Sequence, residues 1–203
     1  MKQTKQYEYV DLGLPSGLKW AKCNLGAETE TDYGDYFMWG STTPNTNTTC
    51  DWEHAPFNNG SSDYNEEYFT SHKSEWLDDN NNLKPEFDAA RAIMGGYWRM
   101  PTKAEIQELL DYTSNKWTEV NGVYGRKFTG SNGNSIFIPA AYFRSGSSFY
   151  GREDYNGDIW SSSLFTSRHK NAWYLNFFSD DFYVDYADRN YGLMVRGVYE
   201  NLL

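Results

Sequence analysis

Ala172-Trp173-Tyr174-Leu175-Asn176-Phe177, followed further on by Gly192-Leu193-Met194-Val195-Arg196-Gly197-Val198, is the stretch whose reading decides the fold. Side chains alternate along a strand, so Trp173, Leu175 and Phe177 share one face while Tyr174, Asn176 and Phe178 share the other. The same alternation turns Phe182 and Val184 inward and Asp181, Tyr183 and Asp185 outward. Tyr186 to Tyr191 reads as a turn, and Leu193 to Val198 as a closing strand. Beside this apolar framework, which also includes Trp160-Ser161-Ser162-Ser163, lies a scatter of aromatic, acidic, basic and amide residues with no face pattern of its own. Its members are Phe165, Arg168, His169, Phe178, Asp181, Tyr183, Asp185, Tyr186, Asp188, Asn190 and Tyr191. A scaffold carrying a binding surface has this appearance.

Working outward, Tyr7 to Ala21 reads as two short strands joined by a turn at Pro15-Ser16-Gly17, where Pro presets one dihedral and Gly supplies the unusual one. Tyr33 to Gly40 is a further strand. Ser41 to Asn82, rich in Asn, Thr, Ser, Asp and Gly, reads mostly as loop pinned by Trp52, Phe57, Tyr64, Tyr68, Phe69 and Trp76. Helices are expected at Pro85 to Met94, stopped by Gly95-Gly96, and at Pro101 to Leu110, where Thr102 and Glu105 have capping-box spacing and Ile106, Leu109 and Leu110 form one apolar face. Tyr124 to Thr129 and Ser135 to Pro139 flank a Gly-containing turn and read as a hairpin. Arg144 to Asp158 reads as exposed. The expectation is one α+β domain over 1–203, with two helices packed on a mainly antiparallel, twisted sheet with long loops.

Hydrophobic residues make up only 39% of the 203, but the aromatic share of 18% supplies the large buried areas that disordered chains lack. A formal charge of -10 repels phosphate, which argues against nucleic acid as a partner. No apolar run reaches membrane-spanning length, so no membrane insertion is expected, and Met1 to Gln6 is not followed by the apolar stretch a signal peptide needs. Cys23 and Cys50 read as unpaired thiols, Cys23 buried beside Trp20, with a single bridge between them as the alternative.

Val10 to Ala27 (Val-Asp-Leu-Gly-Leu-Pro-Ser-Gly-Leu-Lys-Trp-Ala-Lys-Cys-Asn-Leu-Gly-Ala), the Tyr33 to Gly40 strand, Gly95-Gly96-Tyr97-Trp98-Arg99-Met100-Pro101-Thr102 and Asn132 to Ala141 together resemble bacterial and phage proteins with the C-type-lectin fold of the formylglycine-generating-enzyme type. The ending from Trp160 to Val198 resembles the variable region of target proteins of diversity-generating retroelements. In that family an error-prone reverse transcriptase miscopies adenines of a template repeat, typically within Asn codons. The resulting residues exclude Glu, Gln, Lys, Met and Trp. Phe178, Asp181, Tyr183, Asp185, Tyr186, Ala187, Asp188, Asn190 and Tyr191 all belong to the accessible set, and from Asn171 through Leu193 the excluded types occur only as Trp173. Lys170 departs from the set.

The resemblance implies a non-enzymatic ligand-binding protein, displayed extracellularly on a bacterial cell surface or phage virion, with a variable region at 160–198. Its partner would be a variable macromolecular ligand, a protein or a surface glycan. The ligand-binding residues so implied are Phe165, Arg168, His169, Tyr174, Phe178, Asp181, Tyr183, Asp185, Tyr186, Ala187, Asp188, Asn190 and Tyr191. Tyrosine suits such a surface, giving large contact area with few rotatable bonds. Arg99 and Arg196, set in apolar stretches, read as paired structural arginines. No catalytic residue is expected: there is no cysteine after Cys50, where the enzymes of this fold type use late cysteines or copper, and His54, His72 and His169 read as scattered surface histidines. The rival reading is a fixed carbohydrate-binding or adhesin module. No cofactor is expected, although Asp78-Asp79-Asn80 is compatible with a structural calcium ion and with no identifiable ligand spacing. The Glu-Pro-Asn and Gln-Pro-Asp triplets of sugar-binding C-type lectins are absent.

Overall fold

Val10 pairs with Trp20 across an antiparallel hairpin of β1 (Tyr9–Asp11) and β2 (Lys19–Ala21) in the computed structural model, which describes residues 6–151 and 155–200. The turn closes through Gly17 N donating to Leu14 O at 2.9 Å, with Gly17 at φ 75°, where a side chain would be strained. β3 is only Tyr36–Phe37.

The stretch from Ser41 to Asn82, expected mostly as loop, contains a helix, α1 (Glu66–Trp76). Asn65 caps it by accepting from Tyr68 N, Glu66 and Glu67 sit at its positive end and Lys73 at its negative end. Phe69 and Trp76, two turns apart, are buried on one side. The helix expected over Pro85 to Met94 is split at Asp88, which leaves helical geometry. A 3₁₀ turn (Pro85–Phe87) precedes Asp88, and α2 (Ala89–Met94), which Asp88 caps, comes after it. The Asp88 carboxylate accepts from Arg91 N at 2.9 Å and Met100 N at 2.8 Å. After β4 (Trp98–Arg99) comes α3 (Lys103–Tyr112), which opens with the expected capping box of Thr102 and Glu105. Three α-helices are therefore present among the described residues, one more than expected.

Strands dominate the remainder: β5 (Thr113–Val120), β6 (Val123–Gly130), β7 (Ser135–Pro139), β8 (Phe143–Ser145), β9 (Ser148–Tyr150), β10 (Asn156–Leu164), β11 (Asn171–Phe178), β12 (Phe182–Asp188), β13 (Leu193–Met194) and β14 (Val198–Tyr199). They form sheets ordered β1-β2-β14-β4, β12-β11-β10-β13-β3, β5-β6-β7 and β8-β9. Pairing is antiparallel except between β10 and β13. The α3 residues Ile106 and Leu109 pack with Phe128, Ile136, Ile138, Ile159, Leu175 and Phe177 in one core. Trp39, Phe69, Trp76 and Trp160 centre an adjoining one. There Trp39 Nε1 donates to Ser161 O and Trp160 Nε1 to Phe37 O, both at 2.8 Å, so neither indole leaves a buried donor unmet.

Three further expectations change. Tyr186 to Asp188 belong to β12, and the turn is confined to Arg189 and Asn190. The closing strand breaks between β13 and β14, where the chain passes from one sheet to another and Arg196 turns inward. Its guanidinium donates to Asn24 Oδ1 at 2.7 Å, Ala21 O at 3.0 Å and Phe137 O at 2.9 Å, and burial pulls its pKa down to about 10. Its partners are thus neutral oxygens, whereas Arg99 pairs with Glu105 and Glu200. The stretch expected as exposed from Arg144 to Asp158 is partly interior: Arg144 is buried and donates to Asn45 O, and Asn156, Gly157 and Asp158 are buried in β10. Both cysteines are free, Cys50 buried and Cys23 half-buried rather than buried. No helix among the described residues is long and apolar enough to cross a membrane.

Candidate functional site

β11 runs between β10 and β12 with Asp158, Asn176 and Tyr183 in one row and Trp160, Tyr174 and Asp185 in the next. Because alternation is strict, Leu175, Phe177, Phe182 and Val184 pack inward, in the core that α3 helps to form. The opposite face forms the floor of an open groove of about 800 Å³. Its lining comprises Tyr155, Asn156 and Asp158, Tyr174, Asn176 and Phe178, Tyr183, Asp185 and Ala187, with Tyr191, Leu193, Phe143 and Gly151 alongside. Phe143 and Tyr191 meet at 5.3 Å between ring centres, Tyr155 and Phe178 at 5.6 Å.

Asp158 is the electrostatic centre of this floor. It is 3% exposed, and its two oxygens accept from Asn156 Nδ2 at 3.0 Å and Asn176 Nδ2 at 2.5 Å. Burial pushes its pKa up to about 7, aided by the Asp185 carboxylate and opposed by the two amides. Tyr174, standing edge-on to Trp160 at 6.0 Å, has its phenol pushed well above the ordinary range by burial first and then by Asp158 and Asp185.

The groove gathers Tyr174, Phe178, Tyr183, Asp185, Ala187 and Tyr191 from the residues singled out in the sequence. The rest lie elsewhere. Phe165 and Tyr186 stack on each other at 4.1 Å on the opposite face, beside Trp173, whose ring lies under Lys103 Nζ. Arg168 is exposed in the β10–β11 turn. His169 is not a free surface histidine: it packs on Phe69 and its Nδ1 lies 2.7 Å from Glu66 Oε1. Asp181 is exposed in the β11–β12 turn and its carboxylate accepts from Phe182 N. Asp188 pairs with Lys170 and accepts from Asn171, and Asn190 is buried.

Sequence reasoning placed Asn176 on the Tyr174 face without counting it among the binding residues, and it did not single out Asn156 and Asp158 on the floor or Phe143 and Tyr155 on the walls. Asp158 lies two residues before Trp160, so strand parity extended backwards from the framework would have placed it on the same face. It also passed over Arg189, which is fully buried with its guanidinium 4.2 Å from the Phe69 ring centre and near Trp39, Trp52 and Tyr64. Arg189 Nε donates to His169 O at 2.8 Å, and burial lowers its pKa to about 10. No local signal separates this arginine from its neighbours in the sequence.

Among the described residues no three His, Cys, Asp or Glu side chains converge as metal ligands would. In the Asp78-Asp79-Asn80 stretch, Asp78 Oδ1 accepts from Asn80 N and Asn82 N, closing a turn. The family model described as Lcl C-terminal domain matches residues 14–198 of the chain. No curated protein and no solved structure gives a match.

Proposed function

The chain belongs to the Lcl C-terminal domain family, the C-type-lectin-fold domain of variable proteins of diversity-generating retroelements, and on that premise we propose that it is a non-enzymatic receptor whose groove is the recognition surface. The supporting observation is convergence. Tyr174, Phe178, Tyr183, Asp185, Ala187 and Tyr191 are scattered over 18 positions of sequence between 174 and 191, yet line one groove, while Leu175, Phe177, Phe182 and Val184 between them pack into the core on the other face. Side chains at Phe178, Tyr183 and Asp185 can change without altering either core, and Tyr174, Ala187 and Tyr191 rest on the edge of the core centred on Trp39 and Trp160.

In this reading the variable region is 160–198, rewritten by adenine mutagenesis from a template repeat, and the ligand is a macromolecule met on another cell or particle, with display on a bacterial surface or virion. Affinity comes chiefly from burying the aromatic members, as hot spots usually do. The flanking DNA tests the genetic half: an imperfect copy of the 160–198 coding region, differing at adenines, should lie beside a reverse transcriptase gene. A locus with neither removes that half. The physical half is tested by randomising the six groove positions in a displayed library and selecting on an unrelated protein. Folded binders are expected, and a library that mostly fails to fold refutes the scaffold reading.

A further inference from the structure

Among the described residues the lining of the groove is electrostatically one-sided. Its described lining contains two carboxylates, Asp158 and Asp185, and no lysine, arginine or histidine. Asp158 is solvated only by neutral amides, which stabilise a negative charge without cancelling it. Asp185 uses Oδ1 to accept from Tyr186 N at 2.8 Å, and its other oxygen has no partner among the described residues. Tyr174 and Tyr183 stand beside these acids, Phe178 and Tyr191 line the same groove, and an aromatic face attracts cations through its quadrupole. Among the described residues an anionic ligand would meet two acids and the rings' negative faces with no compensating positive charge.

Resting on the reading of the groove as a recognition surface, the geometry points to a cationic side chain of a partner protein, an arginine or lysine carried on a projecting loop, as the group this groove takes. Arginine fits better. Its planar guanidinium stacks on rings while its forked donors reach carboxylate oxygens, whereas an ammonium is a compact, strongly hydrated charge. A volume of about 800 Å³ exceeds one side chain and leaves room for the loop residues beside it. The chain's net charge of -10 favours encounter with a basic partner surface. Burial and the nearby Asp185 carboxylate raise the Asp158 pKa to about 7, so a cation placed between the two acids stabilises the ionised form of both.

The test is a titration of the isotopically labelled chain at pH 8, followed by NMR, with four probes: acetyl-arginine amide, acetyl-lysine amide, the uncharged acetyl-citrulline amide and the anionic acetyl-glutamate amide. The arginine probe should shift the Asn156 and Asn176 side-chain amides and bind about 10-fold more tightly than citrulline, as a desolvated cation–aromatic contact with a charge partner allows. Asp185→Asn keeps the acceptor for Tyr186 N and should weaken the arginine probe about 5-fold while leaving citrulline unchanged. Equal or tighter binding of citrulline or glutamate in the groove overturns the cation assignment and leaves the recognition reading standing. If no probe shifts groove resonances up to its solubility limit, the cation assignment falls. The library selection then decides separately whether the groove recognises anything.

Discussion

Asp158 and Asn176 face each other across adjacent strands, and the amide of Asn176 donates to the carboxylate of Asp158 at 2.5 Å on the floor of the groove. The pair places a carboxyl where water cannot solvate it, and this has a measurable effect on stability. In the folded chain the carboxyl keeps its proton up to about pH 7, against an ordinary value of 3.8. The folded state therefore binds more protons than the unfolded state between those values. Stability from this group is complete in acid and is lost as pH rises from about 4 to about 7, by up to roughly 4 kcal/mol. Asp158→Asn cannot ionise, and one neighbouring amide can flip to meet the new NH₂ group. The variant should be the more stable protein at pH 8 and lose that advantage by pH 4. Urea midpoints of both proteins across this range measure it, and a constant difference would contradict the assignment.

Tyr183 is 39% exposed on the groove face, while Leu175, one strand away on the inner face, is fully buried. Tyr183→Ala should change folding stability by no more than about 1 kcal/mol, and Leu175→Ala should lower it by roughly 2–5 kcal/mol. Denaturation midpoints decide the matter, and equal losses would mean that the groove face is structural.

Arg189 sits amid the proposed variable positions, yet its side chain is sealed among Trp39, Trp52, Tyr64 and Phe69. Truncation leaves a cavity ringed by aromatics and takes the donor away from His169 O, so Arg189→Ala should lose more than about 3 kcal/mol. The same burial constrains diversity. Among copies of the variable region sequenced from one population, position 189 should remain Arg while 183, 185, 187 and 191 differ, and free variation at 189 would refute a framework role.

What the sequence discloses here is local geometry, and what it withholds is partnership at a distance. Thr102 and Glu105 announce their helix because both halves of a capping box lie within one turn. Trp173 to Phe178 announce their two faces because strand parity is a property of adjacent residues. The helix from Glu66 to Trp76 was hidden inside a polar stretch, although the Asn65 cap, the acidic first turn and the seven-residue spacing of Phe69 and Trp76 were all present. Arg189 and Asp158 were not legible in the same sense. The first is a core residue only because α1 and the Trp39 and Trp52 segments close over it. The second acquires its pKa only when Asn156 and Asn176 flank it and Asp185 approaches across the sheet. Arg196 shows the middle case: its structural role followed from its apolar setting, but its acceptors come from segments over 50 residues away.

Gly157 lies between Asn156 and Asp158, so it faces the core while its two neighbours form the groove floor, and its register partner is Phe177. A β-carbon added there would stand 2.2 Å from Phe177 Cζ and within 2.9 Å of both flanking ring atoms. The ring has nowhere to retreat, being fully buried with Trp117 edge-on at 6.4 Å. Relief must come from displacing β10, which carries Asp158 with it. Gly157→Ala should therefore cost about 1–3 kcal/mol by overpacking, and it should also perturb the side-chain amide resonances of Asn156 and Asn176. Shrinking the ring separates this cause from a backbone effect of alanine itself: Phe177→Leu in the Gly157→Ala background should restore part of the lost stability, although Phe177→Leu alone lowers it. If the two losses simply add, the close approach of Gly157 and Phe177 does not set the shape of the groove floor.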